Sequence, residues 1–324
     1  MRIAKSLALM ISVLLASLAG LTFLITPYMF KAKSENVAMA VEFNCHAAAA
    51  WIALDKGFFR DEGLNITAIE TFATGLELAA ALTRGDIKVA WACLGPAIMA
   101  YARGVPIVIV AQTHLHGYAI VVRPGLTSIN QLNGSVVACS GKGSSTYLLL
   151  KLALEKYHLE PKEIRQMKPS EAVNALITCQ IDAASLPEHY VTLAAEHGNC
   201  TVLLRSQDIW PEMPGSVLVV RRELLERSPE LVSKLIRATV KATLMINGDL
   251  VGSAAVVANR LGISLEDAYE SMSWLSYQNE IDVDSFKRYV DLIVKYGVLE
   301  KPLDIREIVD PALLSQALGA GARM

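Results

Sequence analysis

Apolar and polar positions change rhythm repeatedly after residue 40. Short runs rich in β-branched and other apolar residues predict strands at 40–43, 65–71, 87–91, 107–112, 119–123, 135–138, 183–186, 201–205 and 216–221. Stretches of helical spacing lie between them, at 47–56, 76–83, 96–103, 146–157 and 171–178. Strands that alternate with helices predict an α/β architecture built on parallel sheets. From Ser228 onward the pattern is almost wholly helical, over 229–247, 251–261, 265–276, 284–296 and 304–314. Ser228 stands before Pro229 and Glu230, and Ser264 is followed by Asp267 at the capping-box spacing, so both helices begin on capping chemistry.

One segment echoes another. Ala81-Leu82-Thr83-Arg84-Gly85-Asp86-Ile87 is matched by Ala175-Leu176-Ile177-Thr178-Cys179-Gln180-Ile181. Each reads as a helix end, a one-residue turn and a buried strand. Gly85 suits the left-handed position after a helix, and Cys179 takes the same place at some cost in backbone strain. The echo predicts two lobes of similar construction.

The start of the chain departs from this pattern. Arg2 and Lys5 precede an uncharged apolar run at 7–25, which Pro27 ends before Lys31 and Lys33. A basic stretch followed by an apolar one has the order of a secretory signal, and the run is also long enough to span a bilayer as a helix. Residues 1–30 are therefore expected to be a signal peptide or an uncleaved signal anchor that places the remainder outside the cytoplasm. Composition adds exclusions. With 30 Lys+Arg against 32 Asp+Glu the chain lacks the basic excess that nucleic acid requires. Five cysteines in 324 residues are too few for a disulfide scaffold.

Ligands of parallel sheets sit beyond the carboxyl ends of strands, where helix N-termini turn free N–H groups to the crevice. The residues at those ends include Asn44, Cys45 and His46; Thr74 and Gly75; Cys93, Gly95 and Pro96; Thr113 and His114; and Pro187, Glu188 and His189. The sharpest segment is Ser140-Gly141-Lys142-Gly143-Ser144-Ser145-Thr146, which follows a strand and opens a long apolar helix. Its glycines let backbone amides converge on an anion, and its hydroxyls add donors. The glycine spacing, and Gly143 after Lys142, exclude a phosphate-binding Walker loop. There is no His-Glu-x-x-His and no Gly-x-Ser-x-Gly. The cysteines and histidines near strand ends show no close metal-binding pair, and no cofactor is expected.

Trp51-Ile52-Ala53-Leu54-Asp55-Lys56-Gly57-Phe58-Phe59-Arg60-Asp61-Glu62-Gly63-Leu64 resembles the opening of the nitrate/sulfonate/taurine-type, NMT1-like solute-binding proteins of ABC importers. This group includes binders of thiamin pyrimidine precursors. The two echoed turns, Gly104-Val105-Pro106, Leu132-Asn133-Gly134-Ser135, Met213-Pro214-Gly215-Ser216 and Ser228-Pro229-Glu230-Leu231 follow in the family's order, over residues 41–315. Lys88, Cys179 and Asn44-Cys45-His46 depart from its pattern.

The resemblance implies a type II periplasmic-binding-protein fold: two α/β lobes joined by two crossing strands, with a helical C-terminal region. Lobe 1 is expected over 41–116 and 219–324, lobe 2 over 117–218, and the crossings near 117–121 and 215–219. The implied function is capture of a small anionic or polar solute in the interlobe cleft and delivery to an ABC permease, and through it to its ATPase. The expected place is the periplasm or the outer face of the cytoplasmic membrane, with a membrane attachment if the leader is uncleaved. On this reading Ser140, Ser144, Ser145 and Thr146, with Gly143, donate to the solute's head. Thr74, Gly75, Gly95, Pro96 and Thr113 face it from the other lobe. His46, His114 and His189 tune charge, and Glu188, beside Pro187, accepts from an amine. Alternatives are a thiamin-precursor or similar heterocycle as ligand, a pyrimidine-synthase enzyme, and a membrane-tethered sensor acting through a partner.

Overall fold

The computed structural model describes residues 35–85 and 87–321. The expected leader at 1–30 lies outside the described residues.

Two five-stranded sheets organise the chain. The first is formed by β1 (Glu35–Glu42), β2 (Leu64–Phe72), β3 (Val89–Cys93), β4 (Ile107–Gln112) and a late strand, β11 (Ser216–Arg221), in the order β2-β1-β3-β11-β4. The second contains β6 (Tyr118–Val122), β7 (Val136–Cys139), β8 (Glu163–Gln166), β9 (Ala183–Pro187) and β10 (Thr201–Arg205), in the order β10-β6-β9-β7-β8. Read from β8, the second sheet repeats the plan of the first. Parallel strands fill one side, and the strand arriving from the other lobe is inserted antiparallel: β11 beside β3 and β4, β6 beside β9 and β10. The sheets are thus mixed rather than purely parallel. Apolar runs buried on both faces read alike in either direction, so direction was not visible in the pattern.

The sequence echo has its counterpart here. Gly85 and Cys179 both hold left-handed backbone, with φ of 87° and 56°, as each lobe turns from helix to strand. The missed strands are short. β8 is mostly exposed or half-buried, and β5 (His114–His116) and β12 (Leu275–Tyr277) form a separate antiparallel pair. β12 ends the helix expected over 265–276 at Ser273.

The helices that follow strands in the first lobe are α1 (Ala48–Asp55), α2 (Phe58–Asp61), α3 (Gly75–Arg84) and α4 (Leu94–Ala102). Those of the second are α5 (Ser145–Tyr157), α6 (Pro169–Ile177) and α7 (Tyr190–Gly198). The C-terminal region is helical as expected. It comprises α8 (Arg222–Arg227), α9 (Pro229–Gly248), α10 (Leu250–Leu261), α11 (Leu265–Ser273), α12 (Val283–Lys295) and α13 (Ala312–Gly321). α9 lays Leu235, Ile236, Ala238 and Ala242 into the same core as Ala50, Trp51 and Ile52 of α1. Among the described residues no single helix is long and apolar enough to cross a membrane.

The connections between the sheets are 113–117, from β4 to β6, and 206–215, from β10 to β11. Thr113 N–H and Oγ1 both donate to Ser216 O, at 2.9 and 3.0 Å, and Ser216 N–H donates to Nε2 of His114 at 3.2 Å. On the other flank β12 pairs with β5, and Asn279 Nδ2 donates to Gln112 O. Gly215 has no side chain because His114 lies against it; an added Cβ would come within 2.8 Å of the His114 carbonyl and run into the imidazole. Gly215→Ala is therefore expected to lower stability by about 1–3 kcal/mol, the usual scale of overpacking. Gly248→Ala, with no atom within 4 Å of the new methyl, should stay within about 0.5 kcal/mol. Denaturant midpoints at unchanged slope check both; equal midpoints would refute the packing account.

Candidate functional site

The carboxyl ends of β1, β3, β7 and β9 converge between the lobes, where α3, α4 and α5 present their N-termini. They enclose a cavity lined by Glu42, Asn44, Thr74, Gly75, Cys93 and Pro96 from one side, and by Tyr118, Ser140, Ser144, Ser145, Thr146 and Pro187 from the other. Ala73 and Pro169 complete it. Its volume is about 20 Å³, little more than a water molecule needs.

Of the residues expected from sequence, Thr74, Gly75, Pro96, Ser140, Ser144, Ser145, Thr146 and Pro187 stand on this wall. Within the 140–146 loop the hydroxyls bond one another. Ser144 Oγ caps Tyr147 N at 3.1 Å, donates to Gly141 O at 2.7 Å and lies 2.9 Å from Thr146 Oγ1, which accepts from Ser140 N. Ser145 Oγ reaches Tyr289 OH on α12 at 3.0 Å. The first amides of α5 keep the N-terminal orientation that suits an acceptor or anion.

Gly95 and Gly143 face each other across the lobe boundary. A Cβ on Gly95 would lie 2.7 Å from Gly143 O and collide with Tyr289 OH. Thr113 and His114 are spent on the connection to Ser216. His46 sits one layer below the cavity: its Nε2 donates to Gly117 O at 2.8 Å, which leaves Nδ1 as an acceptor 3.6 Å from Cys93 Sγ. Glu188 is fully buried and ion-paired with Arg205. Its Oε1 accepts from Arg205 Nη1 at 2.6 Å, and its Oε2 from Thr192 N and Oγ1. His189 stacks on Tyr190 beside it, with Nδ1 unpartnered.

Sequence reading passed over Glu42 and treated Asn44 and Cys93 only as neighbours of the site. Glu42 is 5% exposed, and its Oε1 accepts the Cys93 N–H at 2.6 Å while Oε2 lies 3.2 Å from the Cys93 thiol. The available signal was a lone acidic residue at the end of an otherwise buried strand, which calls for a partner or a role. The Cys93 thiol also accepts from Tyr118 OH at 3.1 Å and Ser216 Oγ at 3.5 Å. Burial and the neighbouring carboxylate push it well above the ordinary thiol range, so it stays neutral. All five cysteines are unpaired.

Further contacts tie the lobes around the cavity. Tyr190 OH donates to Phe43 O, His197 on α7 meets Asp267 on α11 at 2.9 Å, and Lys168 meets Glu77 at 3.2 Å. The Arg205 guanidinium lies 3.4 Å over the Trp274 ring.

Two lobes of this topology, connected twice and closing on a polar cavity, define a type II periplasmic-binding-protein fold. A model of the NMT1-like family matches residues 31–262, and the chain belongs to that family. It is 24% identical over 281 residues to a putative aliphatic sulfonates-binding protein of Bacillus subtilis, covering 82% of this chain and 84% of that one. It is 26% identical over 231 residues to the taurine-binding periplasmic protein of Escherichia coli, covering 69% of each. Among solved structures, the periplasmic nitrate-binding protein NrtA of Synechocystis PCC 6803 superposes with a TM-score of 0.81 at 14% identity, over 89% of each chain. That likeness concerns the fold. The relatives with a named role are binding proteins rather than enzymes.

The buried imidazoles make stability depend on pH. Burial pushes His46 and His189 down to about 4 from an ordinary value of 6.5. Between those values the unfolded chain binds more protons than the folded one, so stability falls as pH drops from about 6.5 to 4. The loss is on the order of 3 kcal/mol per histidine. Equilibrium unfolding at pH 7 and 4.5 should show it, and His189→Gln should remove part of the slope. A slope in His189→Gln equal to that of the wild type would contradict the neutral assignment of His189.

Proposed function

We propose that this protein is an extracytoplasmic solute-binding component of an ABC importer. It captures a small polar solute between its lobes and hands it to a membrane permease. The observation that carries this reading is the small cavity at the lobe boundary, walled from both sides by strand-end and helix-N-terminal residues that include Glu42, Asn44, Thr74, Ser140 and Ser144–Thr146. The roles named for the relatives support it: aliphatic sulfonates in one case, taurine in the other. Export through the apolar run at 7–25 fits the same role.

Discrimination follows from closure. A solute held between the lobes must satisfy the polar atoms it covers, since a buried group left unpaired costs about 1–3 kcal/mol. The loop at 140–146 supplies hydroxyls and the α5 N-terminus; the first lobe supplies Thr74, Asn44 and Glu42.

Native mass spectrometry of gently purified protein tests the reading, with Gly95→Ala as a wedge between the lobes. The wild type should retain a small polar molecule. Gly95→Ala should lose it while remaining folded, with a stability loss of about 1–3 kcal/mol because the new Cβ also meets Tyr289 OH. An empty wild type, or equal retention by both, would contradict capture by closure.

A further inference from the structure

We propose that the solute presents an N–H donor, an ammonium or an exocyclic amine, to the carboxylate of Glu42, and that Glu42 is the residue that turns simple anions away. This rests on the solute-capture reading and narrows it.

Glu42 ends β1 and stands between two helix N-termini. Its Oε1 takes the N–H of Cys93, the N-cap of α4, and a Cβ added to Gly75, the first residue of α3, would lie 2.6 Å from the same oxygen. That is the position in which the first lobe's helices would cradle an anion from outside. In this chain the anion is built in. Its second oxygen has only two weak donors, the Cys93 thiol at 3.2 Å and Asn44 Nδ2 at 3.4 Å. An ionised carboxylate offers about four acceptor positions, so capacity is left over on the cavity side.

Among the described residues lining the cavity there is no Lys or Arg. Lys168, which shares a neighbouring groove with Thr74 and Ser140, is paired with Glu77, and Lys142 of the 140–146 loop is not among the residues that line the cavity. A nitrate or plain sulfonate would meet the Glu42 oxygens with no positive charge to offset them. An ammonium would supply the counter-charge the buried carboxylate lacks, and a neutral amine would supply a donor. Burial pushes the Glu42 carboxyl up despite the Cys93 and Asn44 donors, as expected of a carboxylate without a cation. Across the cavity, the α5 N-terminus and Ser145, whose partner Tyr289 can itself be the donor, suit an acceptor group, the Ser144 and Thr146 protons being used within the loop. The two walls together fit a small molecule with a donor at one end and an acceptor at the other. A zwitterion and an amino-substituted heterocycle share that chemistry.

Matched probes test it in thermal-shift and calorimetric titrations: taurine against ethanesulfonate, an aminopyrimidine against the parent pyrimidine, and nitrate. At least one amine-bearing probe should bind, its amine-free partner should bind at least about tenfold more weakly, and Glu42→Gln should weaken the binder by about tenfold to a hundredfold. Which pair responds separates the zwitterion from the heterocycle. If Glu42→Gln does not fold, the wild-type pairs decide. Ethanesulfonate or nitrate binding as tightly as the amine-bearing probes, or a folded Glu42→Gln with wild-type affinity, would overturn the proposal and leave solute capture standing. If every probe is silent, the molecule retained in native mass spectrometry decides: one without an N–H group overturns the proposal, and one with it supports the proposal. Silent probes together with an empty protein would overturn both.

Discussion

The arrangement of the molecule hangs on the seam where Thr113 and His114 meet Ser216. Three hydrogen bonds there fasten one interlobe connection to the other, and β12 braces the outer flank through its pairing with β5. The seam requires a neutral His114, because Nε2 must accept the Ser216 amide. Burial enforces that by holding His114 well below the ordinary imidazole range. With the connections pinned side by side, the lobes keep one shared edge, and the opposite edges carry the cleft. The strand ends and helix N-termini then face each other by topology alone.

A cleft built this way joins two unlike walls. One is rich in hydroxyls that already hydrogen-bond among themselves, so it needs no ligand to stay ordered. The other holds a carboxylate that the protein satisfies only in part. Tyr289 connects the two, reaching from the C-terminal helices to Ser145 and lying against Gly95. Closure thus depends on small residues at 95 and 143 as much as on the polar contacts. Peripheral ion pairs such as Lys168–Glu77 are exposed and add little by themselves.

Much of this was legible in the chain. The alternating rhythm located nine strands, and the Gly85/Cys179 echo foretold two lobes of one plan. The loop at 140–146 stood out because glycines and hydroxyls before an apolar helix have a direct physical meaning. What stayed hidden were features decided by tertiary contact. Strand direction cannot be read from runs buried on both faces. β5 and β12 are too short to carry a period. Glu188 looked available beside its strand end, yet Arg205, seventeen positions on, occupies it. Glu42 was passed over for the opposite reason: inside an apolar run it looked like part of a strand, and only the folded chain places it against the Cys93 amide.

Small-angle scattering tests the central claim, capture by lobe closure, most directly. The protein is freed of co-purifying small molecules by unfolding and refolding, then measured alone and with a saturating amount of whichever matched probe most raises its melting temperature. The account predicts a smaller radius of gyration with the probe, and no such change in Gly95→Ala. Superimposable wild-type profiles with and without the bound probe would contradict it.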